Sequence, residues 1–193
     1  LLDLLPPKFH VNCFKTSVQM YFSADSPAKE AEFDALVRKN EGNTKYLFFG
    51  TKMENWYSVL RSGLKNETKY QVDDDTWGIP LYTYVPKVLL GHFTIYDHTH
   101  LSEKCACKEF CFPRQAQEGI ILLAVVEVVD TPDAIAFDDG ESVIVRDTKW
   151  CSIRMIVAYD WKSTPDVDLN NMNADDKQKI KDVVNKFKDA RLV

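Results

Sequence analysis

A strand, a glycine and a capped helix follow one another without interruption near the first quarter of this chain. The run from Tyr46 to Phe49 is short and apolar, as in a buried strand. Gly50 follows, and Thr51 stands three residues before Glu54, a spacing typical of a helix N-terminus with a capping box. Gly63 is placed to end the helix in a left-handed cap. The apolar face of the helix is formed by Trp56, Val59 and Leu60.

The remaining pattern predicts about five strands and three helices with no regular alternation, which is typical of the α+β class. One helix is predicted after Ser26-Pro27 and the last after Asn173, because each begins with a capping residue. Residues 65–78 predict a polar loop. Further strands are predicted from apolar and β-branched runs at residues 79–85, 120–129, 142–146 and 151–159.

Size and composition limit the class of protein. The chain has 193 residues, 45% of them hydrophobic and 27% charged, which predicts one globular domain over residues 1–193. Because it starts at Leu1 rather than Met, we expect it to be part of a longer protein. The net charge of −5 argues against a dedicated nucleic-acid surface, and no apolar run is long enough for a membrane span. Five cysteines, an odd number, favour a reducing compartment, cytoplasmic or nuclear.

Four segments, taken in order, resemble the catalytic domain of the PARP family. Residues 48–64 are similar to its first NAD-binding motif, in which a strand ends in His-Gly-Ser or His-Gly-Thr and a helix of the form ENWxSILRxGL follows. Residues 77–82 resemble its Y-G-x-G-I-Y strand, residues 121–130 its central strand, and residues 142–159 its last two strands. The segment SPAKEAEF and the closing helix resemble the monotransferase branch, in particular members six and eight.

The resemblance covers roughly residues 20 to 188 and implies an ADP-ribosyltransferase fold. Such a fold has two packed, mainly antiparallel sheets flanked by helices, with a central NAD cleft. The resemblance also implies a pentosyl glycosyltransferase reaction, in which NAD is the substrate, nicotinamide leaves, and ADP-ribose passes to a protein or nucleic-acid acceptor. Because positive charge develops on the ribose, such a site depends on positioning and electrostatic help more than on a strong base.

The resemblance assigns residues to the NAD site. Active relatives have a His that contacts the ribose, and here that position is Phe49, whose side chain has no hydrogen-bonding atom. Gly50 is retained, and its backbone holds the nicotinamide amide in the family. Tyr82 takes the position of the tyrosine beside the nicotinamide ring, and Tyr84, on the same strand face, is an alternative. Gly50 also has a structural interpretation, as a turn glycine, and the two tyrosines have one as core residues of a strand. The predicted set is completed by Thr51 and Gly78.

The third catalytic position falls on Ser142, where polymerising relatives carry Glu. The neighbouring Glu141 would face the opposite side of a strand unless a bulge shifted the register. A Phe-Tyr-Ser triad predicts weak NAD binding, because a ribose hydroxyl without its partner loses about 1–3 kcal/mol. It also predicts transfer of single ADP-ribose units if the domain is active. The alternative is an inactive PARP-like pseudoenzyme that acts as an interaction module.

Most of the histidines and cysteines lie close together, in the order H-x-H-x4-C-x-C-x3-C. This set supplies enough nitrogen and sulfur ligands for a tetrahedral structural zinc ion. The alternative is a solvated loop with scattered reduced cysteines. The candidate ligands are His98, His100, Cys105, Cys107 and Cys111.

Overall fold

The computed structural model describes residues 2–22, 26–51, 53–65, 70–73, 76–83, 120–160 and 167–189. This part of the chain contains nine strands and three α-helices. The strands are β1 Leu2–Leu4, β2 Gln19–Phe22, β3 Thr44–Phe49, β4 Tyr70–Asp73, β5 Thr76–Tyr82, β6 Ile120–Val129, β7 Ile135–Asp138, β8 Ser142–Val145 and β9 Cys151–Asp160. The helices are α1 Pro27–Lys39, α2 Met53–Ser62 and α3 Ala174–Asp189.

The strand pairs are all antiparallel and follow the order β1-β2-β9-β6-β3-β5-β8-β7, with β4 paired to β5. Between β3 and β5 the ladder consists of one pair, Phe48 opposite Tyr82. The strands therefore form two groups, one on each side of this narrow junction. The predicted α+β class with mainly antiparallel strands is confirmed.

Strand β6 is an interior strand of the larger group because it pairs with β9 on one side and with β3 on the other. Its side chains alternate between two apolar clusters, as expected for a strand covered on both faces. Leu123 and Val125 lie in the cluster that also contains Tyr82, whereas Ala124 and Val126 lie in the other. This double burial explains the continuous apolar run that predicted the strand.

Two helices begin where the capping residues predict. The Ser26 hydroxyl accepts a hydrogen bond from the Lys29 backbone N–H at 3.3 Å and starts α1. The Asn173 side chain accepts one from the Asp176 backbone N–H at 2.8 Å and starts α3. Gly63, which follows α2, has a φ of 72° and so adopts the left-handed conformation expected after a helix. No α-helix in the described ranges is both long and apolar enough to cross a membrane.

Strand β9 contains a β-bulge at Arg154, since Met155 pairs with Val125 and Ile153 pairs with Val126. The extra residue turns its side chain towards a buried ion network. The Arg154 guanidinium donates to Glu127 of β6 at 2.7 Å and to Glu30 of α1 at 2.5 Å. Burial alone would lower the pKa of Arg154, but the two carboxylates raise it above its usual value. These ion pairs connect α1 to strands β6 and β9.

The sequence pattern misses four strands. The prediction of a polar loop over residues 65–78 is wrong in part, because β4 and the start of β5 lie within it. Strands β1, β2 and β7 are also unpredicted, and each has three or four residues. Among the described strands, β1, β4 and β7 each pair with one neighbouring strand only. Because they lie at edges, their sequences lack the long apolar run seen in β6.

Candidate functional site

The structure brings Tyr82 and Ser142 together. They are directly opposite each other in the register of β5 and β8, which places their side chains on the same face. Both are buried, with exposures of 2% and 1%. On its other side Tyr82 is opposite Phe48 of β3. Two of the three predicted catalytic positions are therefore cross-strand neighbours at the junction of the two strand groups.

The backbone N–H of Ser142 has a hydrogen-bond partner, whereas its side-chain hydroxyl has none in the described part of the chain. The Ser142 N–H donates to a carboxylate oxygen of Asp139 at 2.7 Å. The Oγ atom is fully buried and has no hydrogen-bond partner within the described part of the chain. A buried hydroxyl without a partner costs free energy, which a ligand oxygen within reach would recover.

Glu141 lies just before β8, whereas Ser142 is the first residue of that strand. The β5–β8 register is regular from Ile79 opposite Val145 to Tyr82 opposite Ser142, so no bulge shifts it. Glu141 is exposed, and its carbonyl accepts a hydrogen bond from the Thr83 N–H at 2.9 Å.

Phe49 lies apart from Tyr82 and Ser142. It is the last residue of β3 and is opposite Ala124 of β6. Because Phe48 shares the face of Tyr82, the alternation along β3 directs Phe49 to the other face. There its ring packs edge-on against Trp56 of α2, with ring centroids 6.5 Å apart. Gly50 follows directly and is half-buried.

Thr51 is buried at the end of the strand–glycine segment. Its hydroxyl oxygen accepts a hydrogen bond from the Asn55 side chain at 2.9 Å. The Glu54 side chain lies outside the described part, so the capping box remains a prediction. On the same helix, Trp56 is buried and its indole N–H has no partner among the described residues. The sequence pattern singled out Trp56 only as part of an apolar face.

Gly78 has a packing role in β5. A Cβ atom at this position would lie 2.5 Å from the Ile144 side chain and 2.5 Å from the Val145 carbonyl oxygen. Both contacts belong to the neighbouring strand β8, so a larger residue has no room. The close approach of β8 is sufficient to explain why this position is a glycine. Its predicted role in NAD binding remains a prediction.

Two sets of predicted residues lie outside the described part of the chain. One is Tyr84, the alternative to Tyr82, and the other is the candidate zinc cluster over residues 98–111. Within the described ranges, no group of three or more His, Cys, Asp or Glu side chains is arranged to hold a metal ion. The zinc site therefore remains a prediction.

Two cavities formed by described residues lie beside α1. One of about 260 Å³ lies between the helix and residues 147–153, and another of about 250 Å³ lies over Glu127 and Arg154. Neither is lined by Tyr82 or Ser142. One signal for the second cavity is visible in the sequence, a single Glu within the apolar run of β6, since a buried charge requires a partner.

Comparisons with known proteins agree with the motifs. No family model matches the chain. Over 86% of its length it is 25% identical to the protein mono-ADP-ribosyltransferase PARP8 of Mus musculus, and 24% identical to that of Homo sapiens. It spans 21%, about a fifth, of the length of these relatives. Among solved structures, the PARP domain of Arabidopsis RADICAL-INDUCED CELL DEATH1 aligns with a TM-score of 0.39 and 13% identity, over 70% of this chain and 83% of that chain.

The resemblance to the PARP family is thereby confirmed, since the chain is similar to two proteins of that family. Within that family the similarity is to the monotransferase branch, because both relatives are named as mono-ADP-ribosyltransferases.

Proposed function

We propose that this domain transfers a single ADP-ribose unit from NAD to a protein acceptor. In this reaction the bond between the ribose C1′ and the nicotinamide nitrogen breaks, and nicotinamide leaves with the bonding electrons. The acceptor nucleophile then forms the new bond to C1′ and releases its proton to water. The observation that carries the proposal is the pairing of Tyr82 with Ser142, at the position where polymerising relatives carry Glu.

The limit to one unit follows from the chemistry of the third position. Growth of a chain requires a hydroxyl of the first ADP-ribose to become a nucleophile, and a carboxylate can accept its proton. Ser142 offers a neutral hydroxyl instead, which is a poor base. Glu141 is exposed and precedes the first residue of β8.

Weak NAD binding follows from Phe49. The ribose hydroxyl that meets His in active relatives would find an aromatic ring, and would lose about 1–3 kcal/mol. Gly50 and Tyr82 remain to hold the nicotinamide group, through the backbone and through a flat aromatic surface. The unpartnered Ser142 hydroxyl offers a replacement hydrogen bond on the side of Tyr82.

Incubation of the protein with labelled NAD tests this proposal. The label is expected on protein as single ADP-ribose units, and free nicotinamide, as the leaving group, is expected to reduce labelling. Resolving the modified protein by mass distinguishes single units from polymers. Products of polymer length would overturn the proposal of single-unit transfer.

The second candidate function is a pseudoenzyme that keeps the fold as an interaction module. The packing of Phe49 against Trp56, on the face away from Tyr82, favours it. No labelling, together with no change in Tm on adding NAD or a nicotinamide analogue, would establish this alternative. Phe49→His provides a second comparison, because appearance of activity in that variant would show that position 49 belongs to the NAD site.

A further inference from the structure

Thr83, which follows Tyr82, forms hydrogen bonds through its N–H, its carbonyl and its hydroxyl. Its N–H donates to the Glu141 carbonyl at 2.9 Å, and its hydroxyl donates to the Gly140 carbonyl at 3.0 Å. Its own carbonyl accepts a hydrogen bond from the Leu169 N–H at 2.7 Å. The side chain is 4% exposed. Thr83 thus connects the end of β5, the turn before β8 and the segment that precedes α3.

The segment Val167–Met172, here called the strap, lies across this end of the two strands. Its apolar side chains are buried in the same cluster as Tyr82 and Phe48. The Asn170 side-chain amide donates to the Gly140 carbonyl at 2.7 Å. The strap therefore contacts both strands, one through Thr83 and the other through Gly140.

The ends of a β ladder open more readily than its middle. Tyr82 is the last residue of β5 and Ser142 the first residue of β8, so their pair terminates the ladder. Thr83 and the strap add hydrogen bonds just beyond it. These bonds oppose fraying at the pair that carries the proposed site.

We propose that Thr83 is a positioning residue that, together with the strap, keeps Tyr82 and Ser142 directly opposite each other. It acts through the two strand ends and does not itself contact NAD. The expected effect of Thr83 on NAD binding rests on the proposed function. Its effect on the two strand ends does not depend on that function.

Amide hydrogen exchange, resolved by residue, tests the proposal with Thr83→Val and Thr83→Ser. The valine keeps the shape and the backbone bonds but removes the hydroxyl, and the serine restores it. The expected result for Thr83→Val is faster exchange of the amides of residues 83, 142 and 169, by roughly three- to tenfold for one lost hydrogen bond. Thr83→Ser should return these rates towards those of the wild type.

Thr16→Val is the matched control. The Thr16 hydroxyl also donates to a backbone carbonyl, that of Ala158, at 2.7 Å, but it lies next to β2 and β9. Its loss should leave the exchange at residues 83, 142 and 169 unchanged. Asn170→Ala, an exposed position, removes the strap bond to Gly140 and serves if Thr83→Val does not fold. In that variant the amides of residues 142 and 169 should exchange faster.

Unchanged exchange at these amides in the variants would overturn the proposal. So would an equal rise across the whole molecule, including β6, or a failure of Thr83→Ser to restore the rates. The rise in Tm on adding NAD is measured on the same proteins and should be smaller in Thr83→Val than in the wild type. If the wild type itself shows no rise, the proposed function fails, while the exchange rates still decide the role of Thr83.

Discussion

Ser142 lies directly across the β5–β8 ladder from Tyr82, and its hydroxyl is buried without a partner in the described part of the chain. Strand alternation places both side chains on one face. In an apolar cluster this arrangement leaves one hydrogen-bonding group available beside an aromatic ring. The pair therefore marks this location as the candidate site.

Ser142→Ala is expected to leave the free energy of unfolding unchanged or to raise it by up to about 1 kcal/mol, because no hydrogen bond is lost. The NAD-dependent rise in Tm should decrease in the same variant. Urea denaturation and thermal melts with and without NAD measure the two effects. Ser152→Ala is the matched control, since the buried Ser152 hydroxyl donates to Glu30 at 3.3 Å and its loss should destabilise the protein by about 1 kcal/mol. A loss of about 2 kcal/mol or more in Ser142→Ala would contradict the prediction.

Gly78→Ala is expected to destabilise the protein by about 3 kcal/mol or more, because the new Cβ meets the Val145 backbone oxygen, which cannot move aside without breaking the ladder. Gly42→Ala provides the comparison. A Cβ there meets no atom within 4 Å, and only its φ of 75° is unfavourable, so about 1 kcal/mol is expected. Urea denaturation of both variants measures the difference, and equal losses would show that β8 does not approach Gly78 as described.

Arg154→Met is expected to destabilise the protein by about 3–5 kcal/mol, because it removes the guanidinium that pairs with the buried Glu127 carboxylate. Lys45→Met is the control, since Lys45 pairs with carboxylates near the surface and should contribute less than about 1 kcal/mol. Chemical denaturation curves give both values. A small effect of Arg154→Met would mean that water reaches the network.

Stability is expected to fall as the pH rises from about 9 towards 12. Burial and the nearby Asp176 carboxylate raise the pKa of the Cys13 thiol from 9.0 to about 12. Burial likewise raises the pKa of Tyr159, whose hydroxyl donates to the Phe14 carbonyl at 2.9 Å. In this range the unfolded chain loses protons that the folded chain retains, so ionisation favours unfolding. Below it, these groups are neutral in both states and contribute no pH dependence.

Urea denaturation at about pH 8 and about pH 10 measures this fall. Cys13→Ala is expected to reduce the fall, because it removes one of the groups that ionise only in the unfolded chain. A fall of the same size or larger in Cys13→Ala would contradict the assignment to Cys13.

Local sequence signals were sufficient to predict helices that begin with a capping residue and a strand that is buried on both faces. Ser26 and Asn173 mark the starts of α1 and α3 because a capping side chain acts within one turn. The apolar run of β6 marks a strand covered on both faces. The family resemblance assigns the third catalytic position to Ser142, which the strand register places opposite Tyr82.

Features that depend on pairing between distant strands were not predictable. The face to which Phe49 points depends on the Phe48–Tyr82 pair, which joins β3 to β5. The bulge at Arg154 depends in the same way on its register with β6. Thr83 has no local motif, because its partners come from residues 140–141 and from the strap.

A titration with NAD, followed through the backbone amide signals in NMR spectra, tests the central claim most directly. The proposed site predicts that the amides of Gly50, Thr51, Tyr82 and Ser142 shift together and saturate with one weak affinity. Signals that stay fixed at these four residues, or shifts confined to the cavities beside α1, would contradict the claim that this PARP-like domain binds NAD at the Tyr82–Ser142 pair.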